Sequence, residues 1–210
     1  MKRLAVMVSG GGTDLQSVID GVQSGKIPGK IAVVISSRPG VYALERAKKA
    51  GIPGVLICKK DYADEQAFFD ANLCALREYG AEGVILAGYL SILGKQMIEA
   101  YPNKIINIHP SLIPSFCGKG YYGLRVHQAV LDYGAKVSGA TVHFVDEGAD
   151  TGPIILQRAV SVLPEDTAES LQQRILEVEH EILPEAVALF CADRLRAVSY
   201  THLDVYKRQA

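Results

Sequence analysis

The stretch RLAVMVSGGGTDLQSVIDGV, residues 3–22, decides the fold. From Arg3 to Val8 the side chains are short and almost all apolar, which suits a strand buried on both faces of a parallel sheet. Three glycines interrupt the run. Leu15, Val18, Ile19 and Val22 then recur at i, i+3, i+4 and i+7, the spacing of one face of an amphipathic helix. A buried strand, a glycine turn and a helix make the opening unit of a doubly wound α/β domain.

The same alternation continues outward. Further strands are predicted over 30–36 (KIAVVIS), 54–58 (GVLIC), 83–88 (GVILAG) and 104–108 (KIINI). Phe69, Leu73 and Leu76 mark a helix between two of them. Gly25, Gly51 and Gly80 stand where helices can close on a left-handed residue. After residue 120 the texture changes. LRVHQAVLDYG reads as a helix, whereas 136–147 and 152–162 read as long alternating strands, expected to be antiparallel. A final helix starts near Thr167, with Leu171, Ile175, Val178 and Ile182 on one face, and Pro184 is expected to kink or end it. The expectation is one α/β domain over residues 1–196: a mainly parallel sheet extended by the long C-terminal strands and closed by this helix. From Ala197 onward, AVSYTHLDVYKRQA follows no pattern continuous with that helix and resembles a translated read-through of a sequencing adapter. Residues 197–210 are therefore expected to be a non-native tail without function.

Composition narrows the function classes. Over 210 residues the net charge is −1, so no basic surface argues for nucleic acid or an anionic membrane. No apolar run approaches the roughly 20 residues of a membrane-spanning helix. The apolar start is too short for a secretory signal and lacks a small-residue cleavage site, so the expected location is the cytoplasm. Cys58, Cys74, Cys117 and Cys191 form no C-x-x-C pair and no zinc-like spacing with histidine. They read as reduced thiols, and no metal site is expected.

Two constellations carry chemistry. The loop SGGGTDLQ, residues 9–16, lets the backbone approach a ligand at a helix start, where free N–H groups and the positive dipole end favour an anion such as phosphate. Leu15 stands where a dinucleotide fingerprint needs its third glycine, and no Gly-Lys-Ser/Thr follows, so neither nucleotide motif applies. A plain tight turn with Thr13 as N-cap is the alternative. In NKIINIHPSLIPSF, residues 103–116, Asn107 and His109 lie two apart on a strand end and point the same way. An amide that donates and an imidazole that titrates near neutrality suit a carbonyl becoming an oxyanion, as in acyl transfer. The alternative is a strand end whose polar side chains cap a loop. In VHFVDEGADTGP, His143 falls on a strand and Asp150 in a loop, the placement of a carboxylate that orients an imidazole.

The segments SGGGTDLQ, NIHPSLIPSF, VHFVDEGADTGPIILQ and EVEHEILP, in this order and spacing, resemble the phosphoribosylglycinamide formyltransferase (glycinamide ribonucleotide transformylase) family. The resemblance covers residues 1–196. Asn-x-His-Pro-Ser-Leu alone is shared with other folate-dependent formyltransferases; the glycine loop and the late Glu-His pair narrow it. It implies formyl transfer from 10-formyltetrahydrofolate, as co-substrate, to the amine of 5-phosphoribosylglycinamide in purine synthesis. It assigns Asn107, His109 and Asp150 to catalysis, and Gly11, Gly12, Thr13, Asp14 and Glu179 to the ribonucleotide. It places Leu90, Ile92 and Leu93, with Asn107, at the folate. The pattern departs from the family at Asp14, where Asn is common, and at Ser91, where Arg is common. Only Lys59 and Lys60 are at hand for the folate's glutamate tail. Rival readings are a formyltetrahydrofolate hydrolase, another formyltransferase of the superfamily such as one acting on methionyl-tRNA, or a non-catalytic nucleotide-binding module. The chain is short for an added RNA-binding domain, and its first strand starts at Arg3, early for an added regulatory domain. Nucleic acid, membrane and metal are not expected as partners.

Overall fold

In the computed structural model, residues 1–197 and 203–205 are described. Two compact units, Met1–Ile106 and Asn107–Ala210, meet within one strand. The strands hydrogen-bond in the order β3-β2-β1-β4-β5-β6-β7, the mostly parallel α/β sheet expected from the sequence.

The first unit holds β1 (Lys2–Val8), α1 (Thr13–Gln23), β2 (Gly29–Ser36), α2 (Tyr42–Lys49), β3 (Gly54–Leu56), α3 (Glu65–Glu78), β4 (Gly83–Leu86), α4 (Lys95–Ala100) and the start of β5 (Ile105–His109). β1 pairs in parallel with β2 and β4, and β2 with β3. Leu4 to Val8 are wholly buried, as a strand covered on both faces requires. α1 buries Leu15, Val18 and Ile19. On α3 the inward aromatic is Phe68, with Asn72, Leu73 and Leu76, so the buried face is rotated from the one anchored on Phe69. α2 ends at Lys49, just before Gly51, as the place of that glycine leads one to expect, whereas the short α4 was not foreseen.

The second unit holds the end of β5, α5 (Leu124–Tyr133), β6 (Val137–Phe144), β7 (Ile154–Ser161) and α6 (Ala168–Cys191). β6 and β7 pair antiparallel, with a register break between Val142 and His143. α6 does not end at Pro184: it continues to Cys191 and buries Ala186, Val187 and Phe190 beyond it. Burial of these side chains outweighs the single backbone bond that proline removes. Of the tail, Leu203–Val205 (β9) pairs antiparallel with Leu195–Ala197 (β8), a ladder absent from the sequence reading. The rest of the tail expectation lies outside the described residues.

Asp166 fastens the exit of β7 to the start of α6. Arg174 donates to its two carboxylate oxygens at 2.6 and 2.7 Å, and the Leu163 N–H donates at 2.8 Å. The Arg174 guanidinium is the main reason that the Asp166 carboxyl sits well below the usual carboxylate range. A depressed folded value means that the stabilisation is complete above the unfolded carboxylate pKa of about 3.9 and fades as pH falls below it. Asp166→Ala should therefore cost about 1–2 kcal/mol at neutral pH, roughly 2–8 °C in Tm. Thermal scans from pH 7 to pH 2 should show the gap to the native protein closing in acid; a gap independent of pH would remove the carboxylate from this role.

Candidate active site

The glycine loop joins β1 to the start of α1. Gly12 is the residue before α1 and has φ +72°, so it, and not Thr13, occupies the cap position. A Cβ on Gly12 would lie 2.6 Å from the Ala43 Cβ, so both its conformation and its contact with α2 demand glycine. Above Gly10 and Gly11 there is open space. The loop carbonyls turn toward α2: Arg46 Nε donates to Gly11 O at 2.9 Å and Ala43 N to Gly10 O at 3.3 Å. Asp14 lies in the first turn of α1, and burial pushes its carboxyl up to about 6. Its charge at this position thus depends on pH close to neutrality, which the sequence did not reveal.

The loop is also tied to the segment after β4. The buried Ser9 hydroxyl shares a 2.6 Å hydrogen bond with Ser37 Oγ and accepts from the Leu90 N–H at 2.9 Å. Three strand ends are thereby joined through one side chain that was not singled out beforehand. Leu90 and Ile92 are exposed, and Leu93 is half-buried.

In the second unit, Asn107, His109 and Asp150 come together with a fourth residue, His143. Asn107 and His109 end β5 on one side, as the two-residue spacing predicts. Asp150 lies in the loop after β6, at φ +59°, a conformation that Asp tolerates better than most residues. That loop is pressed close to the strand: a Cβ on Gly152 would lie 1.8 Å from Phe144 O, so only glycine fits there. The Asp150 carboxylate accepts from the Gly118 N–H at 2.9 Å. It stands between two imidazoles, 3.5 Å from His109 Nδ1 and 3.6 Å from His143 Nε2. Burial raises its pKa, but the two flanking imidazoles and the Gly118 N–H together hold the carboxyl below its ordinary value. It is ionised at neutral pH.

Hydrogen-bond partners settle the protons. His143 Nδ1 lies 2.8 Å from Phe144 O, which can only accept, so Nδ1 carries the hydrogen. With that hydrogen in place Nε2 can accept, and Asn107 Nδ2 donates to it at 3.1 Å. The second hydrogen of Asn107 Nδ2 faces Asp150 Oδ1 at the longer distance of 3.5 Å. His109 is 4% exposed, and its Nε2 donates to Phe116 O at 3.0 Å. Burial lowers the His109 pKa more than the Phe116 carbonyl and Asp150 raise it. The ring is thus neutral at pH 7, with the Nδ1 lone pair toward the carboxylate. His127 on α5, also buried, is pushed down to about 4 by burial and by His109.

Glu179 lies on α6 one turn after Ile175 and is buried. The features missed were His143, His127 and the Phe116 carbonyl. His143 was visible in VHFVDE as a histidine on a predicted strand, but nothing local tied it to Asn107. Among the described residues, no group of three or more His, Cys, Asp or Glu side chains could hold a metal ion, and no helix is long and apolar enough to cross a membrane.

The chain is similar to known proteins over nearly all its length. The sequence profile of the formyl transferase family matches residues 2–187. The phosphoribosylglycinamide formyltransferase of Haemophilus influenzae is 41% identical over 196 residues, 93% of this chain and 90% of that protein. The chloroplastic enzyme of the same name from Arabidopsis thaliana is 40% identical over 196 residues, 93% of this chain and 67% of that protein. Glycinamide ribonucleotide transformylase 1 of Symbiobacterium toebii superposes with a TM-score of 0.93 at 45% identity, covering 99% of this chain and 95% of that one. The chain belongs to the formyl transferase family.

Proposed function

We propose that this member of the formyl transferase family carries a formyl group from 10-formyltetrahydrofolate to the amine of 5-phosphoribosylglycinamide, a step of de novo purine (IMP) biosynthesis, in the cytoplasm. Similarity to enzymes of that name across nine-tenths of the chain supports the reaction. The observation that carries the chemistry is the Asp150 carboxylate set between two imidazoles, beside an amide that can donate.

The neutral substrate amine attacks the formyl carbon, and the carbonyl oxygen becomes an oxyanion. Asn107 Nδ2 gives up its long contact to Asp150 and donates to that oxygen, while its bond to His143 keeps the amide oriented. His109 begins neutral. As negative charge develops on the oxygen, the ring takes up a proton from water at Nδ1, a form that Asp150 and the Phe116 carbonyl favour, and returns it as the carbonyl re-forms. Asp150 accepts the proton from the attacking nitrogen, directly or through a water, and passes it to the folate nitrogen as the carbon–nitrogen bond breaks. Formylated amide and tetrahydrofolate result. The scheme uses no metal and no cysteine nucleophile. Gly11, Gly12, Thr13 and Asp14 hold the substrate phosphate through α1 backbone N–H groups, Glu179 the ribonucleotide, and Leu90, Ile92 and Leu93 the folate. Nucleic acid and membranes are not partners in this reading.

Absorbance-detected formyl transfer to 5-phosphoribosylglycinamide, with a control lacking the amine, tests it. Turnover that needs the amine is expected. Equal deformylation without it would make the protein a hydrolase, and no turnover at all would leave a binding module. Glu179→Ala should raise the KM for the ribonucleotide about 10-fold or more, the loss of a charged hydrogen bond, with the folate KM within about two-fold. A change confined to the folate KM would overturn that assignment.

A further inference from the structure

We propose that Ser111 is a positioning residue for His109: its buried hydroxyl fixes the Phe116 carbonyl that decides which ring nitrogen of His109 carries a hydrogen. The kinetic part of this inference rests on the reaction proposed above.

Ser111 has no solvent exposure. Its hydroxyl donates to Ser115 O at 2.6 Å and leans on Phe116 O at 3.3 Å. The same Phe116 oxygen accepts from His109 Nε2 at 3.0 Å. One carbonyl therefore serves both donors, and the serine stiffens the loop that carries it. Phe116 has φ +51°, a left-handed conformation that is strained for a bulky residue. Such a residue relaxes unless its surroundings hold it.

The anchoring continues behind the serine. Ser111 O accepts from the buried Thr141 Oγ1 at 2.6 Å, and Thr141 Oγ1 accepts from the Ile113 N–H at 3.1 Å. Gln157 Nε2 on β7 donates to Thr141 Oγ1 at 3.0 Å and to Ile113 O at 2.9 Å. The loop following the Asn-x-His run is thus bolted to β6 and β7 by side chains, and Ser111 is the member that reaches the catalytic imidazole's partner.

This placement bears on chemistry. With Nε2 donating to Phe116 O, the His109 nitrogen facing Asp150 is Nδ1, 3.5 Å away. A proton taken up by the ring must then arrive at Nδ1, next to the carboxylate. If the carbonyl moved away, the hydrogen could shift to Nδ1, and the accepting nitrogen would become Nε2, on the side away from the carboxylate. The groups facing His109 are Asp150 from the loop after β6, His143 from β6 and His127 from α5. The Ser111 hydroxyl bonds to none of them, so its influence runs through the Phe116 carbonyl.

The test combines long-range proton–nitrogen correlation spectra of the histidines, over a pH titration of the full chain, with steady-state kinetics. In the native protein, neutral His109 should appear as a single Nε2–H tautomer. In Ser111→Ala a mixture containing Nδ1–H is expected, with the midpoint of the His109 titration lower, because the carbonyl bond raises it. The kcat should fall about 10- to 100-fold, the scale of a small misplacement of a catalytic group, with both KM values within about two-fold. Ser111→Cys, close in size and a weak donor, should fall between the two and guards against loss of folding. An unchanged tautomer in both variants overturns the proposal, whatever the rates do. An inactive native protein would instead sink the reaction, and the spectra would still decide the role of Ser111.

Discussion

Asp150→Asn is expected to lower kcat by about 10²- to 10⁴-fold, the contribution of a positioned acid–base group, or roughly 3–5 kcal/mol of barrier. The substitution should leave the loop in place. Asn accepts φ near +59° as Asp does, and its Oδ1 can still accept from the Gly118 N–H. What disappears is the charge between His109 and His143. That charge raises the His109 pKa, so its loss should make the ring still harder to protonate. Binding of both substrates should change by no more than about two-fold, because the loss falls on the transition state. His109→Ala should cost a similar amount, and the double variant much less than the sum, as groups acting in one step do. Initial rates for the four proteins of this cycle provide the check. An Asn variant with near-native turnover, or strictly additive losses, would reduce Asp150 to a loop residue.

The second large effect belongs to the glycine loop. Gly12→Val should raise the KM for the ribonucleotide by about 10- to 100-fold, the loss of one charged hydrogen bond of about 1.5–3 kcal/mol. The reason is steric and local. At φ +72° a β-branched residue is strained, and its Cβ would meet Ala43 at 2.6 Å. The loop must move off α2, loosening the bonds from Arg46 to Gly11 O and from Ala43 to Gly10 O. The backbone donors at the start of α1 would then no longer converge on one anion. The folate KM should hold, and kcat at saturating substrate should fall far less than in Asp150→Asn. Substrate saturation curves would show the contrast. An unchanged ribonucleotide KM would mean that the loop is only a turn.

Parts of this site could be read directly from residue order. Asn107 and His109 share a side because strand side chains alternate, and that parity holds in any sheet the strand joins. The glycine loop was legible for a similar reason, since its need is for a backbone without Cβ between a strand and a helix. His143 was not legible as a partner of Asn107. The register of β6 against β7 breaks between Val142 and His143, and such a break can re-aim a side chain in a way that no alternation rule foresees. The direction of the His109 shift was likewise illegible, because burial lowers its pKa more than Asp150 and the Phe116 carbonyl raise it.

By itself the sequence determined the order of strands and helices, the core faces of most of them, and the residue types that the chemistry requires. These follow from short-range periodicity, which depends on each segment alone. Phe68 replacing Phe69 on the inner face of α3, and α6 running through Pro184, were decided by packing, where burying several apolar side chains outweighs one local preference. The neutral state of His109, the tautomer of His143 and the serine-held carbonyl at Phe116 were decided by tertiary structure alone. Each depends on which groups from distant strands and loops surround a buried side chain, because desolvation and hydrogen bonding, not residue type, set where a proton resides.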